Sequence, residues 1–90
     1  MLSFLFSSSV FADFQAGMDA YNAGDYETAY KEWKALAEQG DAWAQIHIYM
    51  MYSFGEGVTQ DDKEAMKWLR LAVEQGDARA QLELLSLIHI

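Results

Sequence analysis

The chain repeats itself at an offset of 36 residues. Residues 29–45, AYKEWKALAEQGDAWAQ, align without a gap with residues 65–81, AMKWLRLAVEQGDARAQ, and nine of the 17 pairs are identical. The same offset places Asp25 on Asp61, in the turn before each segment. A fixed period of this length is typical of proteins that stack copies of one supersecondary unit. The repeat therefore constrains the fold more than any local feature does.

Each copy carries apolar residues at helical spacing. They are Ala29, Tyr30, Trp33, Leu36 and Ala37 in the first copy, with Tyr26 three residues before it, and Ala65, Met66, Leu69, Ala72 and Val73 in the second. Steps of three and four residues place such side chains on one stripe of an α-helix. A single pair of helices cannot bury its stripe alone, so neighbouring units have to stack.

A Gln-Gly-Asp triplet follows each of these helices, at 39–41 and at 75–77. Gly40 and Gly76 stand where a left-handed residue ends a helix, a conformation that glycine adopts without steric cost. Asp41 and Asp77 can then accept hydrogen bonds from the first N–H groups of the next helix. The triplet predicts a sharp corner between antiparallel helices.

The sequence thus predicts an all-α fold. We expect five helices at about residues 13–22, 26–39, 42–54, 62–75 and 78 to the end, which make about two and a half antiparallel pairs. The repeat domain spans residues 13–90, with units at 13–40, 41–76 and 77–90, the last of them incomplete. Apolar residues of the odd-numbered helices assigned to packing are Ile46, Ile48, Tyr52, Leu82 and Leu85.

Residues 1–12, MLSFLFSSSVFA, are interpreted as a signal peptide whose charged start is missing. Val10 and Ala12 are small residues at the two positions that a signal peptidase inspects, so the mature chain would begin at Asp13. Twelve residues are too few for a transmembrane helix, which needs about 20, and no membrane span is expected. This interpretation predicts a secreted or periplasmic protein. If the segment is instead an ordinary apolar helix, the protein is cytoplasmic.

Charge and composition exclude several classes of function. The 14 acidic and six basic residues give a net charge of −8, which argues against nucleic-acid binding because phosphate neutralisation requires clustered basic residues. A partner attracted by long-range charge should be basic. The chain has no cysteine and two histidines, so disulfides and thiolate chemistry are excluded and a structural zinc site is not expected.

No catalytic residue, metal site or cofactor is predicted, and we expect the protein not to be an enzyme. Asp61 and Asp62 could imitate a carboxylate pair, but a helix cap is the better interpretation. His47 has no acidic or thiol partner at ligand spacing. The run 55–57, Gly-Glu-Gly, lacks the lysine and the preceding strand of a phosphate-binding loop, and a turn between helices explains its glycines.

The repeats resemble the Sel-one-like repeat family, a branch of the tetratricopeptide-like helical solenoids. In unit 41–76 the matching residues are Ala42, Ala44, Gln45, Ile48, Tyr52, Gly55, Glu56, Gly57, Val58, Asp61, Ala65, Trp68, Ala72, Glu74, Gln75 and Gly76. The first unit is more similar to a plain tetratricopeptide repeat, through Gly17, Gly24, Asp25, Tyr26, Ala29 and Trp33, and its inter-helix loop is four residues shorter. The resemblance implies a right-handed α–α superhelix. Tyr49 departs from the pattern, because the family places a small residue there, and we expect a wider helix gap or a rotated ring.

The resemblance also implies a scaffold that binds a protein or peptide along the concave surface formed by the first helix of each pair. The residues expected there are Gln15, Asp19, Asn22, Trp43, His47, Met50, Met51, Arg79 and Glu83. Trp43 is the leading candidate because it corresponds to Arg79 in the next unit, and both residue types dominate interfaces. Packing between units is the alternative for Trp43. Met50 and Met51 suit an adaptable apolar lining, although filling of the core is the favoured interpretation.

The C-terminal segment 84–90, LLSLIHI, is apolar where the last unit of a solenoid is usually polar. Further repeats in the native protein, self-association through this helix, or residues 86–90 that are not native would each account for it.

Two other functions are left open by the sequence: a fragment of a longer repeat protein without its own binding role, and a cell-envelope accessory or inhibitor of an enzyme. A hydrolase is disfavoured, since the chain lacks the cysteines of the relatives considered for that role.

Overall fold

Five α-helices follow one another in the computed structural model, which describes residues 2–88, with side chains from residue 12 onward. The helices are α1 (Leu2–Asn22), α2 (Tyr26–Glu38), α3 (Ala42–Phe54), α4 (Asp62–Glu74) and α5 (Ala78–Leu87). Each packs mainly on its neighbours in the chain, and residues 2–88 contain no strand. The stack measures 48 × 29 × 17 Å. These features confirm the predicted all-α fold of stacked helix hairpins. Met1, His89 and Ile90, the last two in the predicted apolar tail, lie outside the described residues.

The two Gln-Gly-Asp corners have the predicted geometry. Gly40 and Gly76 have φ angles of +99° and +80°, a region that side chains disfavour. At the first corner the Asp41 N–H donates to the Leu36 carbonyl at 3.1 Å, as in a Schellman motif, and the Asp41 carboxylate accepts from the Ala44 N–H at 2.9 Å. One triplet therefore ends α2 and begins α3, and the same pattern joins α4 to α5.

Helix α1 begins earlier than the sequence predicted. It starts at Leu2 instead of near Asp13, because residues 2–16 contain no proline or glycine that would break a helix. Gly17 lies within the helix, where a Cβ atom would come within 2.3 Å of the Trp33 indole nitrogen. The glycine thus allows α2 to place a tryptophan directly against α1. The prediction of a signal peptide concerns processing, which a helix boundary does not test.

The core lies between α2, α3 and α4. Its largest fully buried side chains are Trp33, Leu36, Ile48, Met51 and Leu69. Gln45 is buried beside them at 3 % exposure, and its amide donates to the Ala37 carbonyl at 3.1 Å and accepts from the Gln75 amide at 2.9 Å. Because both polar ends of Gln45 have partners, its burial costs little and ties α3 to the helices on either side.

Two residues of α5 that were assigned to packing are exposed. Leu82 and Leu85 are 68 % and 64 % exposed, so their assignment to the core was wrong. Ala80 is the buried residue of α5. The apolar stripe of α5 has the expected helical spacing, but the side that packs against the core is the one with Ala80 and the partly buried Leu84.

Tyr49 occupies the position where a small residue was expected. Its ring is 7 % exposed, and its hydroxyl donates to a Glu83 carboxylate oxygen at 3.3 Å. The phenol therefore reaches from α3 toward α5. Gly17 of the first hairpin corresponds to Tyr49 of the second, and Trp33 corresponds to Leu69. The larger side chain of each pair of positions therefore lies on the second helix in the first hairpin (Trp33) and on the first helix in the second hairpin (Tyr49).

The long loop between α3 and α4 is folded back toward the first hairpin. Its end is fixed by the Asp61 N–H, which donates to the Tyr52 carbonyl at 3.0 Å. Gly57, at φ +75°, lies so close to α2 that a Cβ atom would be 2.7 Å from the Tyr26 carbonyl oxygen. This close approach places Glu56, the residue before Gly57, beside Tyr21 of α1.

Candidate functional site

The predicted surface residues of α1 lie on the side of the helix that faces away from the core. Gln15, Asp19 and Asn22 are all exposed. The Gln15 amide donates to the Asp19 carboxylate at 3.1 Å, a contact between residues one helical turn apart. These polar side chains are therefore accessible to a partner, as required of residues on a binding surface.

Trp43 is the exposed member of an aromatic cluster, in which its ring contacts Phe14 of α1 and His47 of α3. Its ring is 51 % exposed, and its centroid is 5.2 Å from that of Phe14. The Arg79 guanidinium carbon lies 4.3 Å from the Trp43 centroid, a cation–π contact between residues at equivalent positions of successive repeats. Arg79 is held by Asp77, which accepts hydrogen bonds from its guanidinium. Trp43 thus packs between units with one part of its surface and leaves the rest exposed.

His47 also belongs to this cluster and is largely enclosed. Its ring centroid is 4.5 Å from that of Trp33 and 5.3 Å from that of Phe14. Burial lowers the pKa of His47, so the imidazole is neutral at pH 7. Nδ1 lies 2.9 Å from the Trp43 carbonyl oxygen, which requires the proton on Nδ1 and leaves Nε2 as an acceptor.

The two methionines of the predicted surface differ in burial. Met50 is partly buried, whereas Met51 is 1 % exposed and belongs to the core. The placement of Met51 on the open surface is therefore corrected, because successive residues of a helix point about 100° apart and Met51 faces the packed side. Filling of the core, the interpretation that the sequence favoured, describes this side chain.

Glu83 lies at the far end of the predicted surface, on α5. It accepts the hydrogen bond from Tyr49, and burial together with the Glu83 carboxylate raises the pKa of the Tyr49 hydroxyl. Arg79 and Glu83 thus both connect α5 to α3, one through an aromatic ring and the other through a phenol.

A cavity of about 150 Å³ adjoins the predicted surface. Its walls come from α1, α2, α3 and the α3–α4 loop, and its lining residues are Met18, Tyr21, Asn22, Trp33, His47, Met50, Met51 and Glu56. Glu56 supplies a carboxylate in this otherwise mainly apolar wall. Both of its oxygens lie near the Tyr21 hydroxyl, at 2.9 and 3.1 Å, and this hydrogen bond raises the pKa of Tyr21.

The sequence did not identify Tyr21 and Glu56 as site residues. They are 35 positions apart, and the loop that brings them together reads as a glycine turn. The signal that could have identified Glu56 is its position between two glycines in the α3–α4 loop, which is four residues longer than the α1–α2 loop. An insertion in a solenoid loop commonly modifies the binding face.

The acidic pair considered for catalysis has a structural role. Asp61 caps α4 and accepts hydrogen bonds from the Lys63 and Glu64 N–H groups at 3.0 and 3.2 Å. Within residues 2–88, no group of three His, Asp or Glu side chains is arranged to hold a metal ion. None of the helices in this part of the chain combines the length and the apolar character required to cross a membrane.

No protein-family model matches the chain. The chain is 38 % identical over 69 residues to an exopolysaccharide production negative regulator of Rhizobium leguminosarum bv. viciae, and 33 % identical over 69 residues to one of Rhizobium meliloti. Each alignment covers 77 % of this chain and 26 % of the regulator. The chain is also 33 % identical over 81 residues to an F-box protein of Arabidopsis thaliana. That alignment covers 90 % of this chain and 22 % of the F-box protein.

The chain thus spans about a quarter of the length of the curated relatives that it matches. These similarities are partial and distant. Two of them are to proteins named as negative regulators.

Proposed function

We propose that this chain is a Sel-one-like repeat module that binds a protein or peptide partner across α1, α3 and α5 and has no chemistry of its own. The observation that carries the proposal is the half-exposed Trp43, held between Phe14 and Arg79. An aromatic ring fixed by its neighbours loses little conformational freedom on binding, which is why such rings often dominate interfaces. The similarity to negative regulators supports a role in which binding changes the state of a partner.

The distribution of charge favours a basic partner. Helices α1 and α3 contain no lysine or arginine, and all six basic residues of the chain lie on α2, α4 and α5. Arg79, the basic residue on the proposed surface, is paired with Asp77. A surface of this kind attracts basic segments and repels nucleic acids.

The proposed module acts outside the cytoplasm. This part of the proposal rests on residues 1–12, whose apolar composition and small residues before Asp13 suit a signal peptide.

The central test is a quantitative capture experiment with Trp43→Ala. The purified full chain, attached to a support, is exposed to an envelope extract, and captured proteins are measured for the wild type and the variant. Phe54→Ala is the matched control, because Phe54 is another exposed aromatic residue of α3, at 71 % exposure. We expect specific partners to be retained by Phe54→Ala and lost, by about tenfold or more, with Trp43→Ala.

Circular dichroism of both variants checks that the helices are retained. Equal capture by all three chains would remove Trp43 from the binding surface and, with it, the observation on which the proposed function depends.

A further inference from the structure

The cavity beside His47, of about 150 Å³, has a lining suited to one long side chain. Three methionines and two aromatic rings make most of its wall, a lining that adapts to a flexible aliphatic chain. The lining also includes exposed Asn22 and the indole of Trp33, which is 1 % exposed. A wholly apolar occupant would make no hydrogen bond with the carboxylate of Glu56 in this wall.

Glu56 gives the cavity a charge. Its carboxylate accepts one hydrogen bond from the Tyr21 hydroxyl, which leaves lone pairs for a second donor. Tyr21 and Trp33 line the same cavity as Glu56, and aromatic rings and carboxylates both attract positive charge.

Among the described residues that line the cavity, none supplies a cation that competes for this carboxylate. The lining contains no lysine or arginine, and burial lowers the pKa of His47, so its imidazole carries no charge at pH 7. The guanidinium that influences His47 belongs to Arg79, which is engaged by the carboxylate of Asp77. The cavity is therefore electrostatically complementary to a positive group.

We propose that this cavity binds the side chain of a basic residue, with its aliphatic stem along Met18, Met50 and Met51 and its cationic head at Glu56. Lysine and arginine have this combination of apolar stem and charged end. The inference rests on the proposed function, since it assigns the cavity to a basic residue of the bound peptide. It adds a specific anchor to a partner that was described above only by its overall charge.

The methionines allow a direct test on the full chain. Methyl groups labelled with ¹³C are observed by NMR while N-acetyl-lysine methylamide is added at millimolar concentrations. We expect saturable shifts at Met18, Met50 and Met51, and none at Met66, which lines a separate cavity next to Tyr49 and Leu87. N-acetyl-norleucine methylamide, which has a similar stem without the ammonium group, should bind at least about fivefold more weakly.

Glu56→Gln tests the charge with little change in shape, since the glutamine oxygen still accepts from Tyr21. We expect the lysine probe to bind about fivefold or more weakly to this variant, and Glu74→Gln, with the same charge change at the exposed end of α4, to behave like the wild type. An unchanged Met66 resonance verifies that each variant is folded.

Three results would overturn the proposal: no saturable shift at the three cavity methionines, equal binding of the norleucine probe, or equal binding of the lysine probe by Glu56→Gln. The comparison of the two probes on wild-type protein decides the matter even if Glu56→Gln does not fold. Loss of partner capture by Trp43→Ala is a separate readout, so this cavity can fail while the proposed binding function stands.

Discussion

Helices α3 and α5 are the same element in successive repeats, yet one is enclosed and the other is bare along most of its length. The 36-residue offset pairs Ile46 with Leu82, Tyr49 with Leu85 and Met51 with Leu87. The α3 members are 6, 7 and 1 % exposed, and their α5 counterparts are 68, 64 and 47 % exposed. All six side chains are large and apolar or aromatic. The difference therefore lies in what covers each helix, with α4 packed on α3 and no equivalent helix on α5 among the described residues.

The polar residues of the two helices differ in the same way. Gln45 is buried and bonded to Ala37 and Gln75, whereas its counterpart Gln81 is exposed. A glutamine at this position connects a helix to both neighbours only when both neighbours are present. The comparison teaches that a repeat sequence specifies half of an interface, and that the other half comes from the next unit.

The largest expected effect is a difference in stability between equivalent apolar positions. Ile46→Ala should lower the free energy of unfolding by about 2–4 kcal/mol, because it leaves a cavity in the core. Leu82→Ala should change it by less than about 0.5 kcal/mol, since that side chain is already exposed. Urea denaturation followed by circular dichroism measures both values.

Measuring the unfolding free energies of Ile46→Ala and Leu82→Ala at two protein concentrations also tests self-association. If Leu82→Ala costs as much as Ile46→Ala, and the cost grows with protein concentration, the α5 face is covered in solution by another copy of the chain. That result would end the contrast between α3 and α5, and it would support the predicted self-association of the C-terminal helix.

The sequence predicted the fold because its signals are local and agree with one another. Asp41 and Asp77 mark helix starts, Gly40 and Gly76 mark helix ends, and the apolar stripes between them have a single period. Each of these signals acts within one turn of backbone. The exposure of Leu82 and Leu85 was missed because periodicity identifies an apolar face without saying whether a neighbour covers it.

The candidate site was predicted only in part, for a related reason. Gln15, Asp19 and Trp43 are exposed as a surface residue must be, because the helix period alone places them away from the core. Glu56 and Tyr21 meet through a loop whose path depends on the close contact of Gly57 with α2. A path of that kind is set by tertiary packing, and no spacing rule along the chain predicts it.

An effect of intermediate size tests whether the corners at Gly40 and Gly76 contribute equally to stability, although α3 and α5 differ in burial. Gly40→Val and Gly76→Val should each cost about 1 kcal/mol or more, because valine resists a positive φ. Apart from the glycine and its two chain neighbours, no described residue has a heavy atom within 4 Å of a Cβ at either position, so the cost is one of backbone conformation and not of packing. Thermal melting of both variants, with Ala35→Val at an exposed position within α2 as control, gives the comparison.

Equal losses at the two corners would show that α5 unfolds together with the rest of the chain. A much smaller loss for Gly76→Val would show that the bare helix separates before the core melts. An unchanged melting temperature for Gly40→Val would contradict the left-handed corner itself.

The smallest expected effect concerns the ion pair that fixes the start of α5. Arg79 lowers the pKa of the Asp77 carboxyl below its usual value of 3.8, mainly through the hydrogen bonds between the two side chains. A carboxyl with a depressed pKa stabilises the folded state above its unfolded pKa, and this contribution is lost as the pH falls through the folded value. Arg79→Gln should therefore cost about 0.2–1 kcal/mol at pH 7, the range of exposed pairs, and progressively less below pH 3.8. Arg70→Gln, at an exposed position of α4, controls for net charge, and a cost for Arg79→Gln that does not change with pH would assign the effect to the contact with Trp43 instead of to Asp77.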